Sequence, residues 1–112
     1  MLAHPANIVR IVAAGNKRWL FFTDREPYKS YKSLAYMIDL LPAGSFLKSH
    51  GSYIIHLKHA RYFWFAGQSI EVLLSGDQLG RVSKENFGRF DRARRNFTEL
   101  LQIVSEDDIP VM

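Results

Sequence analysis

Short runs of β-branched and aromatic residues recur along this chain, and turn-forming residues separate one run from the next. The first run ends at Ala13-Ala14-Gly15-Asn16, and two later runs flank Ala66-Gly67-Gln68 as the strands of a hairpin do. The runs that we predict to be strands are Ile8–Val12, Arg18–Thr23, Tyr28–Lys32, Phe46–Leu57, Arg61–Phe65, Ser69–Leu74 and Gln78–Val82. A chain with this many short strands in succession is predicted to be mainly β.

Two segments have helical spacing instead. Ser33 is a predicted N-cap, and the apolar residues that follow it recur in the i, i+3, i+4, i+7 pattern of one buried helical face, up to Pro42. A second helix is predicted from about Lys84 to Val104, because apolar residues recur there every three or four positions. This stripe includes Phe87, Phe90, Phe97 and Leu101. The predicted class is therefore mainly β (α+β), with one inserted helix and a long C-terminal helix.

The length and composition restrict the class of protein further. The chain has 112 residues, a size typical of one domain, so residues 1–112 are predicted to form a single domain with an acidic tail at 105–112. Because it has no cysteine, disulfides and thiolate metal sites are excluded, and a cytoplasmic setting is expected. No apolar run reaches the roughly 18 residues of a membrane span, and the N-terminus does not have the pattern of a signal peptide.

Positive charge is concentrated before the tail. Fifteen basic and seven acidic residues precede Glu99, a balance of +8, whereas the whole chain carries +4. A basic body favours polyanionic partners, of which nucleic acid is one and an anionic membrane surface is the rival. An ordinary solvated basic face, with no polyanion bound, is the third interpretation.

One predicted strand carries an unusual set of polar residues. In an extended chain, Lys48, His50 and Ser52 share one face, and this face could supply several donors to phosphate oxygens or base edges. Lysine and arginine contacts to guanine are the commonest specific contacts in protein–DNA complexes, so Lys48 and the later Lys84 are candidate base readers. The alternative is a solvated strand face without a ligand.

The same strand carries a family resemblance. The run from Phe46 to His56 (FLKSHGSYIIH) resembles the F-[VF]-[RK]-x-H-[RN]-S-[YF]-[IV]-V-N signature of the LytTR DNA-binding domain. Ile8-Val9-Arg10-Ile11 with Gly15-Asn16 is similar to that family's strand and "gN" turn, Ser33–Leu41 to its inserted helix, and Val82-Ser83-Lys84 to its closing V-S-R. The resemblance covers about residues 7–90, and the elements occur in the family's order.

The resemblance implies a mostly β fold that places loops and strand ends in successive major grooves of DNA. It implies a bacterial transcriptional regulator that binds direct repeats as pairs, here expected to stand alone without a receiver domain of its own. The base-reading positions fall at Arg18, Gly51 and Lys84. Lys48, His50 and Ser52 match positions that hold the DNA backbone or frame the loop, and Lys17 precedes Arg18 in the same contact region. Double-stranded DNA is therefore the expected partner.

The sequence departs from the family signature at several positions. Gly51 replaces an arginine or asparagine, so one base-reading side chain is missing and looser sequence preference is expected. His56 replaces an asparagine, and Lys84 keeps the charge of an arginine but not its planar fork. The family's first strand would precede Met1, which leaves a sheet edge to be covered by another segment.

Other classes of function have weaker support. A homodimer is predicted, in which the apolar stripe of Phe87, Phe90, Phe97 and Leu101 could form the interface; the alternative is that this helix covers the open sheet edge. A degenerate interaction module that pairs with another regulator is the main rival function. His56 and His59 are expected on opposite faces of a strand, so no metal site is predicted. No enzyme, no cofactor, no small-molecule substrate and no membrane association is expected.

Overall fold

The β-rich runs pair into two sheets in the computed structural model, which describes residues 4–97 and 102–103. The strands are β1 (Ile8–Ala14), β2 (Lys17–Phe22), β3 (Tyr28–Ser30), β4 (Phe46–His50), β5 (Tyr53–His56), β6 (Ala60–Ala66), β7 (Ser69–Leu74), β8 (Gln78–Ser83) and β9 (Gln102–Ile103). The five-stranded sheet has the order β3-β2-β1-β5-β4, and the four-stranded sheet has the order β8-β7-β6-β9. The prediction of a mainly β fold is confirmed.

The inserted helix α1 (Leu34–Leu40) begins where its cap is predicted. The Ser33 hydroxyl accepts a hydrogen bond from the Tyr36 backbone N–H at 3.0 Å, which satisfies one of the free donors of the first turn. Leu34 and Met37 are the buried residues of this helix, and they pack with apolar residues of the five-stranded sheet. The helix therefore covers one face of that sheet.

The other face of the five-stranded sheet packs against the four-stranded sheet. Ile54 and Ile55 are adjacent on β5 and both are fully buried, because Ile54 belongs to the cluster beneath α1 and Ile55 to the cluster between the sheets. Strand neighbours point to opposite faces, so β5 is enclosed on both sides. Val9 of β1 and Leu47 of β4 contribute to the same inter-sheet core as Ile55.

Strand β8 crosses the five-stranded sheet from β1 to β4. Arg10 of β1 donates from Nη1 to the Leu79 carbonyl at 2.8 Å. One residue further along β8, a Cβ on Gly80 would lie 2.7 Å from Ile55 Cγ2 of β5, a distance that only glycine permits. Next, the Arg81 carbonyl accepts a hydrogen bond from Ser49 Oγ of β4 at 2.6 Å. These contacts fix how one sheet lies on the other.

The predicted strand over Phe46–Leu57 is two strands. β4 and β5 form an antiparallel hairpin, with Gly51 and Ser52 in the turn between them. The register shifts between Lys48 and His50, so the intervening Ser49 forms a bulge and is fully buried. The single-strand prediction was wrong because the chain reverses direction at Gly51 and Ser52. The bulge depends on the hydrogen bond from Ser49 to β8, a contact 32 residues away that no local pattern reveals.

The long C-terminal helix was also predicted wrongly. The helix α2 spans Phe87–Arg94, with short 3₁₀ turns over Lys84–Asn86 and Arg95–Phe97, and Gln102–Ile103 forms a strand parallel to β6. The two-residue strand β9 therefore pairs with the edge of β6, where a covering helix was one alternative. The acidic tail lies outside the described residues.

Phe90 cannot belong to the predicted dimer surface. Its side chain is fully buried in the inter-sheet core, and its ring meets that of Phe63 edge-on with the centroids 5.3 Å apart. Phe87 is partly buried against the same core. The side chains of Phe97 and Leu101 lie outside the described residues. In α2, the apolar stripe thus closes the molecule's own core.

Candidate nucleic-acid interface

Strand register brings several predicted contact residues to one end of the five-stranded sheet. Arg18 pairs with Ala13 next to the β1–β2 turn. The Ala13 N–H donates to the Ser52 carbonyl at 2.8 Å, so the β4–β5 turn lies beside the β1–β2 turn. His50 pairs with Tyr53 at the same end of the hairpin. Because adjacent strands are about 4.8 Å apart, Arg18 of β2 and His50 of β4 lie on the order of 15 Å apart across the sheet.

Lys84 follows the strand of the other sheet that contacts β4. Strand β8 crosses β1, β5 and then β4, where Arg81 meets Ser49, and it ends at Ser83. Lys84 follows directly, three residues beyond the Arg81 contact, and its side chain is exposed. It therefore follows the part of β8 that contacts β4, the strand that carries Lys48 and His50, although it belongs to a distant part of the chain.

The predicted contact cations differ in their ion pairing from several other basic residues of the described ranges. These cations are Lys17, Arg18, Lys48 and Lys84. In residues 4–97, none of the four forms an ion pair, whereas Arg81 pairs with Glu71 and both Arg94 and Arg95 pair with Asp91. The four positive charges are thus available to an external anion.

Arg18 has a further distinctive feature. It is half-buried, and its Nε is enclosed without a hydrogen-bond partner among the described residues. An enclosed donor without a partner is costly, so most such groups in proteins are paired. The enclosed Nε cannot reach an external ligand, so only the terminal Nη1 and Nη2 groups of this half-buried side chain can donate to an external anion.

The hairpin turn presents polar groups with a defined orientation. The Ser52 N–H donates to His50 Nδ1 at 3.0 Å, which makes Nδ1 the acceptor and leaves Nε2 as the N–H donor of the neutral ring. The His50 ring also meets the Tyr53 ring edge-on, with the centroids 5.5 Å apart. His50 and Ser52 are half-buried, so both are held in place and remain accessible at one side.

Gly51 is exposed at the tip of this turn, and the fold does not require glycine there. Its φ is outside the left-handed region, and a Cβ at this position would meet no atom within 4 Å. Gly67, in the β6–β7 hairpin, has a φ of +62° and is a contrasting case, because its turn does require a left-handed residue. The backbone conformation therefore does not require glycine at position 51, and the effect of Gly51 is to leave the tip of the turn without a side chain.

The aromatic hairpin is mainly a core element. Phe63 is fully buried and Trp64 is 5% exposed, so their rings pack inside the molecule, while Phe65 is 60% exposed. Core packing therefore occupies Phe63 and Trp64, and neither ring is available to stack on bases.

Other kinds of site have little support in the described residues. The imidazoles of His56 and His59 lie together, with ring centroids 4.8 Å apart, so their predicted placement on opposite faces was wrong. The reason is that β5 ends at His56 and a 3₁₀ turn follows. No group of three or more potential metal-ligating side chains occurs in residues 4–97. The helices described here are also too short or too polar for a membrane crossing.

Comparison with known proteins identifies the family and the fold. The family model of the LytTr DNA-binding domain matches residues 1–94, so the chain belongs to the LytTR family of DNA-binding domains found in regulators. Among solved structures, the chain is similar to a LytTr DNA-binding domain of a putative methyl-accepting/DNA response regulator from Bacillus cereus. That match has a TM-score of 0.75 and 17% identity, and it covers 83% of this chain and 85% of that chain. A search of curated proteins gives no match.

Proposed function

We propose that this domain binds duplex DNA through the end of the five-stranded sheet that carries the β1–β2 and β4–β5 turns, together with Lys84. The observation that carries the proposal is that, within residues 4–97, the four cations Lys17, Arg18, Lys48 and Lys84 form no ion pair. Asp24, Glu71 and Asp91 pair with other arginines, so the four cations can contact phosphate oxygens and base edges.

The contact residues have different roles. Arg18 and Lys84 occupy the family's base-reading positions, and an arginine or lysine there can donate to guanine in the major groove. Lys17 and Lys48 contribute charge to the phosphate backbone. His50 and Ser52 frame the turn at Gly51, and His50 Nε2–H can donate to a phosphate oxygen. The protein would act as a transcriptional regulator that binds as a pair on direct repeats.

Selection from random duplexes tests this proposal directly. We expect enrichment of one motif that contains guanines, and binding that weakens steeply as salt rises. If four to six phosphates are neutralised, the slope of log Kd against log salt is about 4 to 5. Fluorescence anisotropy on the selected duplex between low and physiological salt measures this slope. Absence of an enriched motif together with absence of binding at low salt would refute the proposal.

Gly51 offers a gain-of-function prediction. Because the turn has room for a side chain and no left-handed backbone, Gly51→Asn restores a residue of the family signature without strain. An asparagine can form paired hydrogen bonds with adenine, so we expect new base discrimination of about 1–3 kcal/mol at one position of the site. Repeating the duplex selection with the variant reveals that position. Gly51→Ser, which has a shorter side chain, serves as the control and is expected to keep the original motif.

A further inference from the structure

His56 is the departure from the family signature that DNA binding does not explain. Its side chain is 3% exposed, and its Nδ1 lies 2.8 Å from the Ile8 carbonyl oxygen. Because a carbonyl only accepts, Nδ1 carries the hydrogen and donates it. In the neutral ring Nε2 is then an acceptor, and among the described residues it has no hydrogen-bond partner. Nε2 is not fully enclosed, so it can accept a hydrogen bond from a molecule that contacts this ring.

A pocket of about 360 Å³ lies against this imidazole. Its apolar wall includes Pro5, Pro42 and Phe46, and the Phe46 ring is stacked on the His56 ring with the centroids 4.2 Å apart. Lys58 also lines the pocket and is exposed, so a positive charge is available at its rim. Pockets of this volume, with apolar walls and a few polar groups, are typical of small-molecule sites.

The pocket lies at the opposite end of the hairpin from the DNA-facing turn. Phe46 pairs with His56 at one end of the β4–β5 ladder, and His50 pairs with Tyr53 at the other. The two ends are four residue steps apart along β4, a distance of about 13 Å. A molecule in the pocket would therefore not occupy the proposed DNA surface, and the inference does not depend on DNA binding.

We propose that this pocket binds a small hydroxylated aromatic carboxylic acid. The hydroxyl donates to His56 Nε2, the aromatic ring lies against Phe46 and the two prolines, and the carboxylate faces Lys58. Each part of this ligand is complementary to one feature of the pocket. Among the described residues, His56 Nε2 is an acceptor without a donor, the wall is apolar, and Lys58 is a cation without an anion.

The environment of His56 favours the neutral ring that this arrangement needs. Burial lowers its pKa, and the nearby charges of His59 and Lys58 lower it further, against an opposing effect of the hydrogen bond to Ile8. At neutral pH the ring therefore keeps Nε2 as an acceptor, which selects a hydroxyl in preference to a second carboxylate oxygen.

Titration of the whole chain with 4-hydroxybenzoate tests the proposal, with amide chemical shifts as the readout. We expect saturable shift changes at Ser45, Phe46 and Lys58, and about 3- to 10-fold weaker binding of benzoate, which lacks the hydroxyl. His56→Asn is the matched variant, because the asparagine amide can still donate to Ile8 while the Nε2 acceptor is lost. It should bind 4-hydroxybenzoate and benzoate equally weakly. Lys29→Ala, remote from the pocket, should bind as the unchanged protein does.

Two outcomes would overturn the proposal. One is the absence of saturable shifts at the pocket residues with 4-hydroxybenzoate, and the other is equal affinity for 4-hydroxybenzoate and benzoate in the unchanged protein. The second comparison requires no variant, so it remains decisive even where His56→Asn fails to fold. Neither outcome bears on duplex binding, which is measured without the acid.

Discussion

Replacing Arg18 with alanine is expected to weaken binding to the selected duplex by about 5- to 150-fold, which corresponds to about 1–3 kcal/mol. Arg18 forms no ion pair with any residue in the described ranges, and its Nε has no hydrogen-bond partner there. The substitution therefore removes ligand contacts and breaks no internal ion pair. Fluorescence anisotropy at one fixed salt concentration measures the loss, and a panel of single-base variants of the duplex should show relaxed preference at one position.

Lys58→Ala provides the charge-matched control. Lys58 is exposed and, like Arg18, forms no ion pair in the part of the chain that the structure describes, but it follows His56 at the far end of the hairpin. Lys58→Ala changes the net charge by the same amount as Arg18→Ala. Any difference in duplex affinity between the two variants therefore results from the position of the residue and not from its charge. Equal losses for the two variants would mean that DNA is attracted by overall charge, and the assigned end of the sheet would then be wrong.

Local signals in the sequence predict much of the fold. The cap at Ser33 and the glycine turn at Gly67 depend on interactions within a few residues, and both occur where the sequence places them. The helix after Ser33 and the β6–β7 hairpin follow from these signals. Features of this kind are predictable because the atoms that stabilise them are close in sequence as well as in space.

The hairpin bulge and the C-terminal segment depend on distant contacts. Ser49 is buried because the Arg81 carbonyl lies above it, and nothing near Ser49 in sequence indicates that neighbour. Beyond Arg94, the α-helix ends although apolar residues continue at helical spacing, and Gln102–Ile103 pairs with β6. Helical spacing describes which residues could share a face, but a free strand edge offers backbone hydrogen bonds that compete with the helix.

The candidate site divides in the same way. The family resemblance predicts which residues contribute to the site. The pairing register of the strands determines which of these residues lie close together. The pairing of Arg18 with Ala13, and the hydrogen bond from Ala13 to Ser52, place two distant turns side by side. The availability of Arg18 could not be predicted, because it depends on where the acids fall in space. The room at Gly51 likewise required the backbone conformation of the turn.

Phe90→Ala is expected to lower the free energy of unfolding by about 3–5 kcal/mol, a large share of the total for a domain of this size. Phe90 is fully buried, and its ring packs against Phe63 at the junction of α2 with both sheets. Truncation leaves a cavity that the surrounding strands cannot close. Urea unfolding measures the loss, and Phe65→Ala, which removes a ring that is 60% exposed, should cost much less. A Phe90→Ala protein of unchanged stability that had lost self-association would instead assign this helix to a dimer interface, contrary to its burial in the core.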